Sequence, residues 1–213
     1  MPVWQSIYEE LKDQNFEIIS FAEDTGGEEA AGGVFDAANV TYTAIIDVDH
    51  TISSLYNFVN VPSGVWIDEE GRIVRWNEGT YAAQHKLGTI EFGSDLYVPA
   101  LKDWLEKGAE SEYVWTPEEV AAHIIPRTDD AEKAEPTFKL GVYFQQQGDE
   151  ERANKHWEES QRLNPDSWNF HRQDWSFTPN EAGANWLKKV QTLGDKPYYQ
   201  PMDLPGEEIA GDE

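Results

Sequence analysis

The sequence predicts an α/β fold for its first half and an α-helical region after it. Three observations carry this. Short runs rich in β-branched and aromatic residues, FEIISFA and YTAIID, alternate with helix-spaced stretches, the order that builds a parallel sheet. Two further runs, VWI and RIVRW, are joined by D-E-E-G, which adds an antiparallel hairpin. From Thr116 on, apolar residues keep helical spacing only.

Pro2 to Asp13 reads as a helix, because Trp4, Ile7, Tyr8 and Leu11 form one stripe and Pro2 suits a first turn. Phe16 to Ala22 is a strand, broken by E-D-T-G-G. Glu28 to Asn39 is a helix rich in small residues. Tyr42 to Asp47 is apolar on both faces, the pattern of a buried parallel strand. Thr51 to Phe58 is a short helix with Ile52, Leu55 and Tyr56 inward. In the hairpin that follows, Gly71 sits where a tight turn needs positive φ. Asp95 to Lys107 is a helix ended by Gly108. Thr116-Pro117-Glu118-Glu119 is a capping box that opens a helix to about Ile125. Pro136 to Gln147 and Asp149 to Leu163 form a helix pair broken at Gly148, and Asn180 to Leu193 is the last helix. From Gly194 on, Pro, Gly and acidic residues predict a loose tail.

The length, 213 residues, suits one domain with a smaller appendage. Nine Trp and 13% aromatic residues supply a core. With 41 acidic against 16 basic residues the net charge is −25, which repels nucleic acid and anionic membrane surfaces. The simplest reading of this excess is a solubility adaptation, as in a salty habitat. With no cysteine there is no disulfide, thiolate nucleophile or cysteine-bound metal. The opening MPVWQSIYEELKDQ has neither the basic nor the apolar region of a signal peptide, and no apolar run reaches the ~20 residues of a membrane helix. A soluble, cytoplasmic chain is the expectation.

TYTAIIDVDHTISSLYNFVNVPSGVWIDEEGRIVRW resembles the C-terminal half of a thioredoxin-like domain of the TlpA/ResA (redoxin) type. The matching features are Asp47 at a strand end, Leu55-Tyr56, the turn Val61-Pro62, the strand Trp66-Ile67-Asp68, and Gly71-Arg72-Ile73. The resemblance covers about residues 1 to 107. It implies a three-layer thioredoxin-like fold with a cis bond at Val61–Pro62. It also implies a loop, Val61, Pro62, Ser63 and Trp66, that holds an extended protein or peptide segment by strand addition. The family's first strand and its C-x-x-C pair have no counterpart here, because MPVWQSIYEEL looks like the helix just downstream of that pair. The fold is therefore expected to be N-terminally incomplete. One explanation is a true variant. The other is a misplaced start, in one form a selenocysteine codon read as a stop; an upstream DNA sequence without an apolar strand and a Cys or UGA codon would sink it. Family members are often exported, so an upstream extension would reopen the location. A missing central strand leaves a buried edge unpaired, which predicts a marginal chain, or one completed by a partner strand or a second copy.

Residues 136–165 resemble a single tetratricopeptide repeat, carried by Leu140-Gly141, Phe144, Gly148, Ala153, Trp157, Leu163 and Pro165. One repeat makes a helical hairpin, either packed on the first domain or docking a peptide. The division expected is thus 1–112 thioredoxin-like, 113–193 helical and 194–213 tail. Trp168 to Phe177, with Trp168, His171, Arg172 and Trp175, either stacks a ligand or plugs the hairpin onto its neighbour. Asp47-Val48-Asp49-His50-Thr51 matches D-x-D-x-T of haloacid-dehalogenase phosphatases, with Thr128-Asp129-Asp130 as a later acidic pair. The hairpin after Asp47 fits the redoxin reading better. The five histidines show no metal-ligand spacing. Two functions follow. One is a thiol–disulfide or peroxide-handling oxidoreductase that, as given, has no catalytic residues and no cofactor. The other is a non-enzymatic protein- or peptide-binding module.

Overall fold

In the computed structural model, which describes residues 1–88 and 90–207, the chain is a mixed α/β protein with small sheets. Its elements in order are α1 (Pro2–Leu11), β1 (Ile19–Ala22), α2 (Gly27–Ala37), β2 (Thr43–Ile46), α3 (Thr51–Tyr56), β3 (Ser63–Ile67), β4 (Ile73–Glu78), β5 (His85–Leu87), β6 (Ile90–Phe92), α4 (Tyr97–Lys107), α5 (Pro117–His123), α6 (Asp129–Gln146), α7 (Glu150–Leu163), α8 (Trp168–Ser176) and α9 (Pro179–Val190). These form two compact units, each of two segments. The first joins Met1–Asn60 to Pro126–Gly194, and the second joins Val61–Ile125 to the chain from Asp195 on.

In the first unit β1 and β2 pair in parallel, with Ile19 opposite Thr43 and Ala22 opposite Ile46. β2 is not the buried strand its composition predicts. Thr43, Ala44 and Ile45 are exposed, as are Ile19 at 56% and Phe21 at 36%. Two strands alone cannot give a parallel sheet the cover on both faces that such sheets need, and among the described residues no third strand joins this one. The unit's core lies instead in its helices. Ala134, Phe138 and Val142 of α6 close on Ala153 and Trp157 of α7 and on Phe170 of α8. Gly141 permits this approach, since a Cβ there would overlap the Trp157 indole. α6 begins at Asp129, well before the expected Pro136. Thr128 accepts a hydrogen bond from the Ala131 N–H, and three acidic residues lie in the first turn. That start outweighs the one N–H lost at Pro136.

In the second unit β3 and β4 pair antiparallel, Val65 opposite Trp76, with a slip between Trp66 and Ile67. Gly71 has the expected positive φ, +78°. Asp68 holds the turn by accepting from the N–H groups of Glu70 and Arg72, which, with the Arg72 charge, keeps its carboxyl below the usual range. β5 and β6 form a second hairpin that the sequence pattern did not announce. Gly108 ends α4 as expected, and the Thr116–Glu119 capping box is present in both directions. Tyr97, Ala100 and Leu101 of α4 are buried, and Tyr97 accepts a hydrogen bond from Trp66 of the first hairpin. The tail read as loose is packed: Met202 and Leu204 are buried. Its last six residues, 208–213, lie outside the described residues.

Candidate functional site

The Val61–Pro62 peptide bond is cis, as the resemblance implies. Val61, Pro62 and Ser63 are half-buried and lead directly into β3. The Pro62 carbonyl accepts from the Thr80 N–H at 3.3 Å, and the Val61 carbonyl accepts from the Tyr199 hydroxyl at 2.8 Å. β3 has β4 as its one strand neighbour among the described residues. Trp66 points away from such a docking role: it is 5% exposed, stacks on Trp104 at 5.1 Å and donates its Nε1–H to the Tyr97 hydroxyl at 3.0 Å. Burial pushes that hydroxyl up to about 12, so it stays protonated. Trp66 thus holds the strand that presents the turn.

On β4, opposite Trp66, stands a residue that the sequence did not single out. Arg75 on β4 is 1% exposed. Its guanidinium lies 4.2 Å from the Trp115 ring centroid and 5.6 Å from that of Trp66. It donates to the Asn77 side chain, to the Tyr113 carbonyl, and to the Met202 and Asp203 carbonyls at 2.5 and 3.0 Å. Burial lowers its pKa to about 10, which still leaves it charged at neutral pH. A buried cation is tolerable only when its donors are satisfied. Here peptide carbonyls do this, two of them from the C-terminal segment. The signal was a charged residue at an inward strand position. Its partner carbonyls, up to 128 residues away, carry no sequence signal.

The aromatic segment expected to stack a ligand is α8, in the first unit. Trp168 is 4% exposed, with Lys189 Nζ 4.7 Å from its ring centroid. The N–H groups of Trp168 and Asn169 both donate to the Val59 carbonyl, and Arg172 reaches the Asn60 side chain at 3.3 Å. α8 therefore fastens residues 58–60, the chain just before the Val61–Pro62 turn. His171 and Trp175 lie with ring centroids 5.4 Å apart. Burial first, and then the Lys189 charge, pull His171 down to about 4. Of these four residues Trp168 is buried and, with Arg172, bonds residues 59–60, while His171 and Trp175 are half-buried beside each other. The structure groups them apart from Val61, Pro62, Ser63 and Trp66, which belong to the other unit.

A second polar cluster lies at the carboxyl ends of β1 and β2. His50 is 4% exposed, and its Nε2 is 2.7 Å from Gln173 Oε1 and 3.4 Å from Thr25 Oγ1. His50 Nδ1 and Glu23 Oε2 face each other at 3.7 Å, both buried and without a hydrogen-bond partner. Glu23 also accepts from the Ser53 N–H. This set fixes α8 to the β1–β2 layer through Gln173. Of the D-x-D-x-T residues, Asp47 accepts from the Ile52 N–H at the start of α3 and Asp49 is exposed; in the later Thr128-Asp129-Asp130 stretch, Thr128 caps α6. Among the described residues no three His, Cys, Asp or Glu side chains converge as metal ligands, and no helix is long and apolar enough to cross a membrane. Comparison with models of protein families, with curated proteins and with solved structures gives no match.

Proposed function

We propose that this chain is a redoxin-like peptide-docking module that carries out no thiol chemistry with its own residues. The observation that supports it is β3, a strand with a single strand neighbour among the described residues, entered through the Val61-Pro62-Ser63 turn. An extended segment laid along such an edge gains main-chain hydrogen bonds, and specificity comes from pockets for alternate side chains. The absence of cysteine removes the nucleophile of thiol–disulfide exchange, so docking is what this surface has left to do. The rigid backing supplied by Trp66, Trp104 and Tyr97 suits a presenting strand.

Two measurements test this on the full chain. In an insulin-reduction assay with dithiothreitol, the protein should add nothing to the background rate; turnover would overturn the non-redox part. In hydrogen exchange with excess reduced, carboxymethylated lactalbumin as an extended polypeptide, amides of residues 61–67 should gain protection. Unchanged exchange there, both in the wild type and in Tyr199→Phe, would overturn the docking part.

A further inference from the structure

The C-terminal segment sits in the second unit in the manner of a bound peptide. Tyr199 donates its hydroxyl to the Val61 carbonyl at 2.8 Å. Its ring covers Gly79, where a Cβ would come within 3.0 Å of it, and faces Tyr81 and Phe92 at 6.2 and 6.1 Å. The Gln200 N–H donates to Glu78 Oε2 at 3.2 Å. The Met202 carbonyl takes bonds from Arg75 and from the Asn77 amide, and the Asp203 side chain meets His123 Nε2 at 2.9 Å. Tyr199 is half-buried, Gln200, Pro201 and Asp203 are exposed, and Met202 and Leu204 are buried.

Donors for the segment's carbonyl oxygens, together with burial of Met202 and Leu204, are features by which a protein reads an extended ligand. Asp203 has φ +49°, left-handed for a non-glycine residue. That turn lets two consecutive carbonyls converge on one guanidinium, where an extended backbone would point them to opposite sides. Pro197, Pro201 and Pro205 restrict the segment before it binds, so little chain entropy is lost on seating it.

We propose that residues 198–204 are a strap that occupies the docking turn in cis. The partner that displaces it is an extended peptide of the same chemistry: a tyrosine, a proline two residues on, and apolar residues at the third and fifth positions after the tyrosine. The groove along Arg75, Asn77 and Gly79 then reads partner sequence, and the strap sets the threshold for entry. This rests on the reading of the Val61–Ser63 turn as a docking element.

The probe is a fluorescein-labelled synthetic peptide spanning 195–207, measured by anisotropy against the full-length protein. The wild type should bind it weakly. Tyr199→Ala should bind it at least about tenfold more tightly, since an occupied site reduces apparent affinity by the fraction of protein that is open. Tyr199→Phe keeps the ring on Gly79, loses only the hydroxyl bond, and should fall between them. A probe peptide with Ala in place of its first-pocket tyrosine should lose the gain. Equal affinity for all three proteins, or no binding to any, overturns the strap. Should Tyr199→Ala unfold, the Tyr199→Phe comparison decides alone. The docking reading fails separately: lactalbumin would then leave residues 61–67 unprotected even in Tyr199→Phe.

Discussion

His171 shows how one half-buried side chain writes a pH dependence into the molecule. Its folded pKa of about 4 lies below the ordinary 6.5 because burial, and then the Lys189 charge, disfavour the imidazolium. The unfolded chain therefore takes up this proton first as pH falls. Stability contributed by the neutral ring is complete above about pH 6.5 and is lost as pH drops from there toward 4. His171→Gln should flatten the fall of melting temperature across that window relative to wild type. Parallel curves would show that His171 is not held neutral. At the same scale, Gly141 and Arg75 are set by close contact: one by the Trp157 indole, the other by two tryptophan faces and peptide carbonyls.

The elements show local signals competing. α6 continues through Pro136, which lacks the N–H that would bond the Glu132 carbonyl. Thr137 bonds the next carbonyl, that of Lys133, with its hydroxyl at 2.7 Å. Pro136 is exposed, so Pro136→Ala restores the missing bond without disturbing the core. It should stabilise the first unit by about 1–3 kcal/mol, within the cost of an interior proline, read as a higher midpoint in urea. An unchanged or lower midpoint would mean that the proline's bend is needed to seat α6. The hairpin β3–β4 shows agreement instead: Asp68 and Gly71 fix the turn from inside it, so the sequence sufficed.

For the molecule as a whole, charge and exposed apolar surface act in opposition. A net charge of −25 keeps copies apart at low ionic strength. The β1–β2 sheet exposes Ile19, Phe21 and Ile45, which favours covering it. Screening weakens the first force and not the second. Sedimentation velocity should show more self-association as sodium chloride rises from about 0.02 M to about 1 M, and Ile45→Lys should reduce it. A monomer at every salt concentration would show that the sheet needs no cover.

What the sequence determined by itself was the kind of most elements, though not of β5, β6 or α8, and several of their ends. Helix period, the capping box at Thr116, Gly71 and Gly108 act over four residues or fewer, and such signals can be read along the chain. Tertiary structure alone decided which elements share a unit, why β2 is exposed, and that Met202 and Leu204 of the tail are buried. It also decided that Arg75 meets the Met202 carbonyl 127 residues away and that His50 meets Gln173 at a separation of 123. The candidate site was legible at Val61–Pro62–Ser63, which borders a turn with its own local chemistry. The C-terminal segment beside it was not, because Arg75 and Asn77 meet that segment through backbone carbonyls, which every residue has and no motif records.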